Sequence, residues 1–401
     1  MEKDKLEPKL RFPGFTEPWE HRKLATIATF AKGRGYSKND LTDRGTPLIL
    51  YGRLYTNYSS AIETVDTYAK PLIGSVYSKG GEVIVPASGE TAEDIARASA
   101  VISKGFLLGG DLNIINPNSE IDPVFLALQL SNGYLKKELA SKAQGKSVVH
   151  IHNSDLENLQ IIYPSLVEQM KVSTCIRVFE HLITLHQRKE EELQKLKKGL
   201  LQKMFPKDGE SVPEVRFPNF TDSWEQRKLG DIARFVNGRA YKQDELLSKG
   251  KYPILRVGNF YTNDAWYYSD LELDEKLYAK EGDLLYTWSA TFGPHIWNGS
   301  KVIYHYHIWK VILSDKLEPS FALWLLEADK NHLLSGSNGS TMIHITKAGM
   351  ENKEVAIPRS LSEQKNIGEF LNNLKQLITL HQRKTEELKK LKKALLQQMF
   401  V

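Results

Sequence analysis

Two stretches of this chain are almost the same sequence, and that repetition constrains the fold more than any other feature. Leu182–Phe205 reads LITLHQRKEEELQKLKKGLLQKMF and Leu377–Phe400 reads LITLHQRKTEELKKLKKALLQQMF. A second pair lies upstream, RFPGFTEPWEHRKL at Arg11–Leu24 and RFPNFTDSWEQRKL at Arg216–Leu229. The chain is therefore an internal duplication, and a repeat of this kind decides the architecture before any single element is read. Each copy opens with an aromatic-rich globular segment and closes with a charged helix. Such a chain can place two similar heads about one pseudo-twofold axis.

The repeat extends through the heads. TPLILYGRLYTN (46–57) returns as YPILRVGNFYTN (252–263), GGEVIVPASG (80–89) as EGDLLYTWSA (281–290), and GKSVVHI (145–151) as GSTMIHI (339–345). Thr46–Tyr58, Gly81–Ser88 and Leu159–Pro164 are strand-like in their β-branched and aromatic content. Pro123–Ala140 reads as one helix, with Asp122 as cap and Pro123 in the first turn. The middles diverge: SGETAEDIARASAVISKGF and SATFGPHIWNGSKVIYHYH share almost nothing. Either the two heads read different targets or their surface loops have simply drifted.

After each head the apolar residues recur in steps of three and four. In the first copy they are Val172, Cys175, Phe179, Leu182, Leu193, Leu196 and Leu200; in the second, Ile367, Phe370, Leu374, Leu377, Leu388, Leu391 and Leu395. That spacing predicts a heptad seam on a long helix. His186 with Lys189, and His381 with Lys384, interrupt it at equivalent places, and Glu191–Lys195 and Glu386–Lys390 are favourable i,i+4 pairs. About 40 residues per helix correspond to roughly 60 Å. Two equal helices joined through a head pack most simply antiparallel, with the heads at opposite ends of a shared rod.

The expected fold class is α+β: two α/β domains in tandem, joined by two long helices forming an antiparallel coiled coil. The expected boundaries are 1–163 for the first head, 164–205 for its helix, 206–215 for a linker, 216–358 for the second head and 359–401 for its helix. The linker contains PKDGESVPE, rich in turn formers.

Bulk properties narrow the function. At 401 residues the chain can hold two or three cored domains, and no apolar run approaches the roughly 20 residues of a membrane helix. The N-terminus MEKDKLEPKLRF lacks the apolar stretch of a secretory signal, and the single cysteine, Cys175, excludes an intramolecular disulfide. A cytoplasmic location is expected. A net charge of +5 permits nucleic-acid binding without demanding it.

Catalytic signatures are missing. Gly145-Lys146-Ser147 has Ala140 where a phosphate-binding loop needs glycine, no GxGxxG follows a strand, and INPN (115–118) is not the tetrad of an amino-methyltransferase. His150/His152 and His305/His307 would each share a strand face, but the two pairs do not correspond in the repeat and lack a third ligand, so no metal site is expected. Glu351-Asn352-Lys353 has no partner carboxylate for a nuclease signature.

What the heads do carry is polar and aromatic. Arg34, Tyr36, Arg53, Tyr55 and Asn57 in the first head answer to Arg239, Tyr241, Arg256, Asn259, Tyr261 and Asn263 in the second. Arginine forks onto guanine edges, asparagine onto adenine, and tyrosine or serine reaches phosphate. Tyr55 and Tyr261 can equally pack in a sheet. The diverged loops, with Ser88, Glu90 and Thr91 in one head and Trp288, Ser289 and Thr291 in the other, are the preferred base-reading surface. Lys146/Ser147 and Ser340/Thr341 are candidate phosphate contacts. The lysines near the helix ends (Lys195, Lys197, Lys198; Lys389, Lys390, Lys392, Lys393) can also hold phosphate, or simply form a solvated face.

The order head–helix–head–helix resembles the specificity subunit of type I restriction–modification enzymes. The P-x-F-x-x-x-W entry (Pro13, Phe15, Trp19; Pro218, Phe220, Trp224) followed by R-K-L is similar to the start of that family's target recognition domains. Tyr163-Pro164 with Ser165–Gln169, and Ile357-Pro358 with Ser360–Gln364, are similar to the start of its helical regions. The resemblance covers essentially the whole chain. It implies a non-catalytic subunit whose two domains each read half of a split, asymmetric site in double-stranded DNA, with the helices as a ruler for the spacer. It further implies two modification subunits using S-adenosylmethionine to methylate adenine, and restriction subunits using ATP and Mg, with no cofactor on this chain. The residues left two other readings open: an interaction protein whose helices dimerise, and a nuclease with an unrecognised site. Salt-dependent binding to a specific duplex separates the first, and metal-dependent cleavage by the purified chain the second.

Overall fold

In the computed structural model, residues 8–207, 209–261, 263–289, 291–336 and 346–400 are described, side chains excepted at 331–336. The chain divides into two compact units. One comprises the first head with the near part of the first long helix and the far part of the second helix, to Arg188 and from Gln382 onward. The other comprises Lys189–His381.

The first unit is built on a five-stranded sheet in the order 28–32, 112–117, 82–86, 99–101, 61–62. Its central pairs are antiparallel, with Ile114 facing Ile84 and Ile115 facing Phe30. A smaller four-stranded sheet pairs 46–49 in parallel with 107–108. The head is closed by Glu20–Lys23 against Gln160–Tyr163, so its first and last strands are neighbours. The second unit repeats this plan. One sheet runs 233–237, 308–313, 284–287, 293–296, a second pairs 252–255 in parallel with 302–304, and Glu225–Lys228 closes against Glu354–Ile357.

Two local expectations change. The stretch from Thr46 is a strand only to Ile49 and then turns into a short helix, Arg53–Thr56. In the second head the strand Tyr252–Leu255 gives way likewise to a 3-10 turn, Val257–Phe260. The expected helix Pro123–Ala140 is two helices, Pro123–Leu130 and Gly133–Lys142. Asp122 caps the first as expected, accepting the Phe125 N–H at 2.8 Å. The break follows because Ser131 and Asn132 hydrogen-bond back to the Ala127 and Leu128 carbonyls and Gly133 has φ +64°.

The repeated motifs are structural. Trp19 packs edge-on against Phe125, at 5.8 Å between ring centroids, and Trp224 does the same on Phe321 at 5.8 Å. Arg11 forks onto Glu168 at 2.9 and 2.8 Å, and Arg216 onto Glu363 at 2.6 and 2.8 Å. Gln169 donates to the Pro164 carbonyl at 2.9 Å and accepts the Asp122 N–H at 2.9 Å. Gln364 repeats both bonds with Pro358 and Glu318 at 2.8 Å each. The S-L-x-E-Q segment thus clamps each long helix to its own head.

The long helices are Leu166–Lys203 and Leu361–Met399. In the first unit Glu180 meets Lys392 at 2.7 Å, while Phe400 reaches Phe125 beside Val172 and Ile176, so the two segments run antiparallel. In the second unit Leu193 packs with Leu374 and Ile378, and Leu201 lies in the cluster of Ile367 and Leu371, again antiparallel. The buried face matches the expected seam only in part: Val172, Leu193, Ile367 and Leu374 are buried as expected, while other members are not. Ile176, Leu193, Leu371, Leu374 and Ile378 are buried, whereas Leu182, Leu196, Phe370, Leu377 and Leu391 are exposed. Leucines recur on more than one face of each helix, so spacing alone does not choose the face that pairs. The expected 191–195 and 386–390 ion pairs are replaced, among the described residues, by Lys189–Glu192 and Lys389–Glu386.

Candidate nucleic-acid interface

In the first head the diverged loop starts from a short strand, Ser88–Gly89, paired with Val149–His150. That pairing brings the exposed Lys146–Ser147 turn to the side of Glu90 and Thr91. The turn needs its glycine: Gly145 has φ +139°, and a Cβ there would sit 1.9 Å from the Val148 carbonyl oxygen. Tyr55 joins the same surface by donating its hydroxyl to the Ser88 carbonyl at 2.8 Å. Arg97 lies over the Tyr55 ring, 5.2 Å from its centroid, and burial pushes the Tyr55 phenol up to about 12. Ser88 is buried and its hydroxyl faces Asp111 at 3.3 Å. Thr91 caps the following helical turn by accepting the Asp94 N–H. Asn57 and Glu90 are exposed nearby in the chain.

The remaining candidates of this head sit elsewhere. Tyr36 bonds Ser75 at 2.6 Å and receives the Leu72 N–H, while Arg34 lies exposed beside Gly74. Arg53 is mostly buried and forks between Asp66 and the Thr64 carbonyl, both at 3.1 Å. The Tyr36 hydroxyl and the two terminal nitrogens of Arg53 are engaged inside the head, whereas Arg34 is exposed.

The second head gathers rings. Tyr261 bonds His295 Nε2 at 3.1 Å, with the Thr287 hydroxyl 3.5 Å away. His295 stacks on Phe260 at 4.1 Å, and burial, with lesser help from Lys330 and Lys375, lowers its pKa to about 4. Trp288 stacks on Trp309 at 5.7 Å, meets His307 edge-on at 5.0 Å and donates to the Tyr306 carbonyl. Ser289 and the exposed Thr291 continue this loop. Arg239 forks onto Glu245 at 3.0 and 2.6 Å and contacts the Tyr241 ring. That bond raises the Arg239 pKa, and burial raises that of Tyr241, whose hydroxyl is enclosed. Arg256 lies over Tyr267, 4.4 Å from its centroid. Asn259 accepts the Arg256 N–H and donates to the Asn263 and Ala265 carbonyls; Asn263 accepts the Ala265 N–H. Ser340 and Thr341 lie outside the described residues.

The structure therefore brings together Tyr55, Ser88, Glu90, Thr91, Lys146 and Ser147 in one head, and in the other it places Tyr261 with His295 and Phe260, and Trp288 with Trp309, Tyr306 and His307. Arg97, His295, Tyr306 and His307 join these surfaces without having been singled out as readers. They lie in the two middles that share no pattern, where no spacing marks them. His150 ends a strand and His152 caps a helix, so that pair does not share a strand face; His305 and His307 sit at a turn instead of on a strand, with their rings 4.9 Å apart. Among the described residues no group of three or more His, Cys, Asp or Glu is placed to hold a metal ion.

Comparison with known proteins bears on this arrangement. The family model described as the type I restriction modification DNA specificity domain matches twice, at residues 16–195 and 221–390. The specificity subunit of the type I restriction enzyme MjaVIII from Methanocaldococcus jannaschii is 24% identical over 317 residues, 73% of each chain. That of MjaIX from the same organism is 24% identical over 326 residues, 75% of this chain and 72% of the relative. The crystal structure of a type I restriction–modification S subunit from M. genitalium has the same fold, with TM-score 0.64 and 17% identity over 98% of this chain and 99% of the other. The HsdS subunit of Thermoanaerobacter tengcongensis matches with TM-score 0.50 and 19% identity, over 96% and 97% of the two chains. Two family domains in tandem, each clamped to a long helix, leave one assignment: the chain belongs to the type I restriction–modification DNA specificity family, as a specificity subunit that performs no catalysis itself.

Proposed function

We propose that each head of this subunit reads one half of a bipartite, asymmetric site in double-stranded DNA, and that the paired helices set the length of the unread spacer. Residues 1–163 and 216–358 are the reading domains, 164–205 and 359–401 the spacing helices, and 206–215 the linker. The observation that carries the reading is a retained frame with exchanged surfaces. Trp19/Trp224, Arg11/Arg216 and Gln169/Gln364 keep the same contacts in both units. The loops beside Tyr55 and Tyr261 differ in sequence and chemistry. Two scaffolds with unlike polar surfaces suit an asymmetric target, because base edges are told apart by donor and acceptor pattern.

The helices support the partner side of the proposal. Leu182, Leu185 and Leu196 on one helix, and Leu377, Leu380 and Leu391 at the equivalent places on the other, are exposed. Exposed leucines at helical spacing suit apolar faces of other subunits. Here these would be two modification subunits, bringing S-adenosylmethionine for adenine methylation, and restriction subunits, bringing ATP and Mg for cleavage. The assembly would act on DNA in the cytoplasm; no described helix is long and apolar enough to cross a membrane.

The test is a head exchange. Residues 11–163 are replaced by the head of another specificity subunit, and methylated adenines are mapped in cells. One half-site should change while the other half and the spacing persist. Change in both halves would refute independent reading.

A further inference from the structure

The two repeats treat one pair of helix positions differently. Glu180 and Lys392 of the first unit correspond to Lys375 and Lys197 of the second. In the first unit Lys392 is mostly buried and paired with Glu180, which also accepts from Ser60. In the second unit the carboxylate is replaced by a lysine, so Lys197 and Lys375 are like charges.

The neighbourhood adds more positive charge. Lys330 extends along the strand that carries His295, close enough that a Cβ on Gly293 would lie 3.1 Å from its Nζ. Glu327 is the nearby anion, 3.5 Å from Lys330 Nζ. Burial pushes the Lys197 pKa down, Lys375 and Lys330 depress it further, and Glu327 opposes them. In the first unit a cavity of about 180 Å³ occupies the corresponding angle between head and helix, lined by Arg97, Lys136, Lys392, Tyr58, Ser131 and Asn132. Arg97 and Lys392 have acidic partners, Asp94 and Glu180. The Lys136 ammonium has no acidic partner among the described residues. Each basic cluster adjoins its head's candidate reading surface, through Arg97 over Tyr55 and through His295 bonded to Tyr261.

A partly buried cation such as Lys197 beside like charges is costly, and excess cations beside hydroxyl and amide groups suit an anion with several acceptor oxygens. We propose that these clusters, Lys136 with Arg97 and Lys392 in the first unit and Lys197 with Lys330 and Lys375 in the second, each seat a backbone phosphate of the duplex. The inference rests on the DNA-reading function and deepens it. In each unit one cation of the cluster, Lys392 in the first and Lys197 in the second, comes from the long helix of the other repeat, so the helices would position DNA as well as space the heads. The net positive charge is larger in the second unit, where the carboxylate is lost, and the anchor is stronger there.

The test uses the intact complex of this chain with its modification subunits. Binding is measured over a range of salt concentrations to a duplex with the recognised site and to one without it. Lys197→Gln, Lys375→Gln and Lys136→Gln should each weaken both duplexes by the same factor, and each should make the slope of log K against log[salt] shallower by about 0.9. Lys197→Gln relieves repulsion, so its melting temperature should not fall, which separates lost anchoring from lost folding. Lys197→Arg should restore the slope.

An unchanged slope in all three Gln variants would overturn the proposal, as would a loss confined to the recognised site. Inorganic phosphate provides a control arm. If it raises the melting temperature of the parent complex but not of the variants, while duplex slopes stay equal, the clusters bind a free anion and the DNA assignment fails. Absence of any sequence preference in the parent complex would instead refute the reading function, whatever the slopes.

Discussion

His295 shows what burial does to a titratable side chain in the second head. Its ring lies on Phe260 and its Nε2 meets the Tyr261 hydroxyl. Its folded pKa is depressed from 6.5 to about 4 by burial first and the nearby lysines second. In the unfolded chain the imidazole takes a proton below about 6.5, while in the folded chain it stays neutral until about 4. Its contribution to stability is therefore full above the unfolded value and is lost as pH falls toward the folded one. The span corresponds to an order of about 3 kcal/mol at most, at 1.36 kcal/mol per unit. His295→Gln should abolish that part of the acid sensitivity. The difference in urea unfolding free energy between parent and variant should shrink between pH 7.5 and pH 4.5, and a constant difference would refute the assignment. The same scale explains the clamp residues. Glu363 is 2% exposed and is held by a two-pronged Arg216 contact, so the pair belongs to the frame of the head and not to its reading surface.

Among the elements, the long helices have two jobs that compete for the same leucines. One face pairs within the chain through Leu193, Leu374 and Ile378; another, with Leu182, Leu185, Leu377 and Leu380, faces outward. If the helices are the ruler, their length is the measured quantity. Inserting four residues into one long helix, near Lys189, adds about 6 Å and a turn of roughly 40° beyond a full circle, which nearly keeps the face. The mapped spacer between methylated half-sites should lengthen by roughly two base pairs, given about 3.4 Å of rise per nucleotide. A spacer of unchanged length in methylome sequencing would remove the ruler.

At the scale of the molecule, each head's core is completed by the end of the other repeat's long helix. Phe400 lies against Phe125 in the first unit, and Phe205 lies against Phe321 and Trp224 in the second. Leu10 N–H donates to the Gln398 carbonyl at 3.0 Å, and Val215 N–H repeats this with Lys203 at 2.8 Å. The first head thus depends on residues almost four hundred positions away in the chain. Phe400→Ala should cost about 3–5 kcal/mol, the range for emptying a buried phenylalanine site. Thermal unfolding followed by limited proteolysis should then show cleavage beginning within residues 8–188. Equal loss of protection in both units would mean that Phe400 does not act on the first head's core.

The duplication, the helices, the last strand of each head and the absence of catalytic signatures were legible in the residues themselves, whereas the first strands that close each head, Glu20–Lys23 and Glu225–Lys228, were not. Each legible feature rests on local chemistry: repeated letters, three-and-four spacing, β-branched runs, and motifs that are present or missing within a few positions. The family could be recognised for the same reason, since its marks are short and twice written. What the sequence could not determine was which groups are free. Arg53, Arg239 and Asn259 have the chemistry of base readers, yet their donors are taken up by Asp66, Glu245 and nearby carbonyls. The face each helix buries, the break at Gly133, and the gathering of Arg97 and His295 beside Tyr55 and Tyr261 were likewise decided by the tertiary structure. Hydrogen-bonding capacity belongs to a residue type, but its occupancy depends on neighbours brought from far along the chain, and only the packed fold determines those.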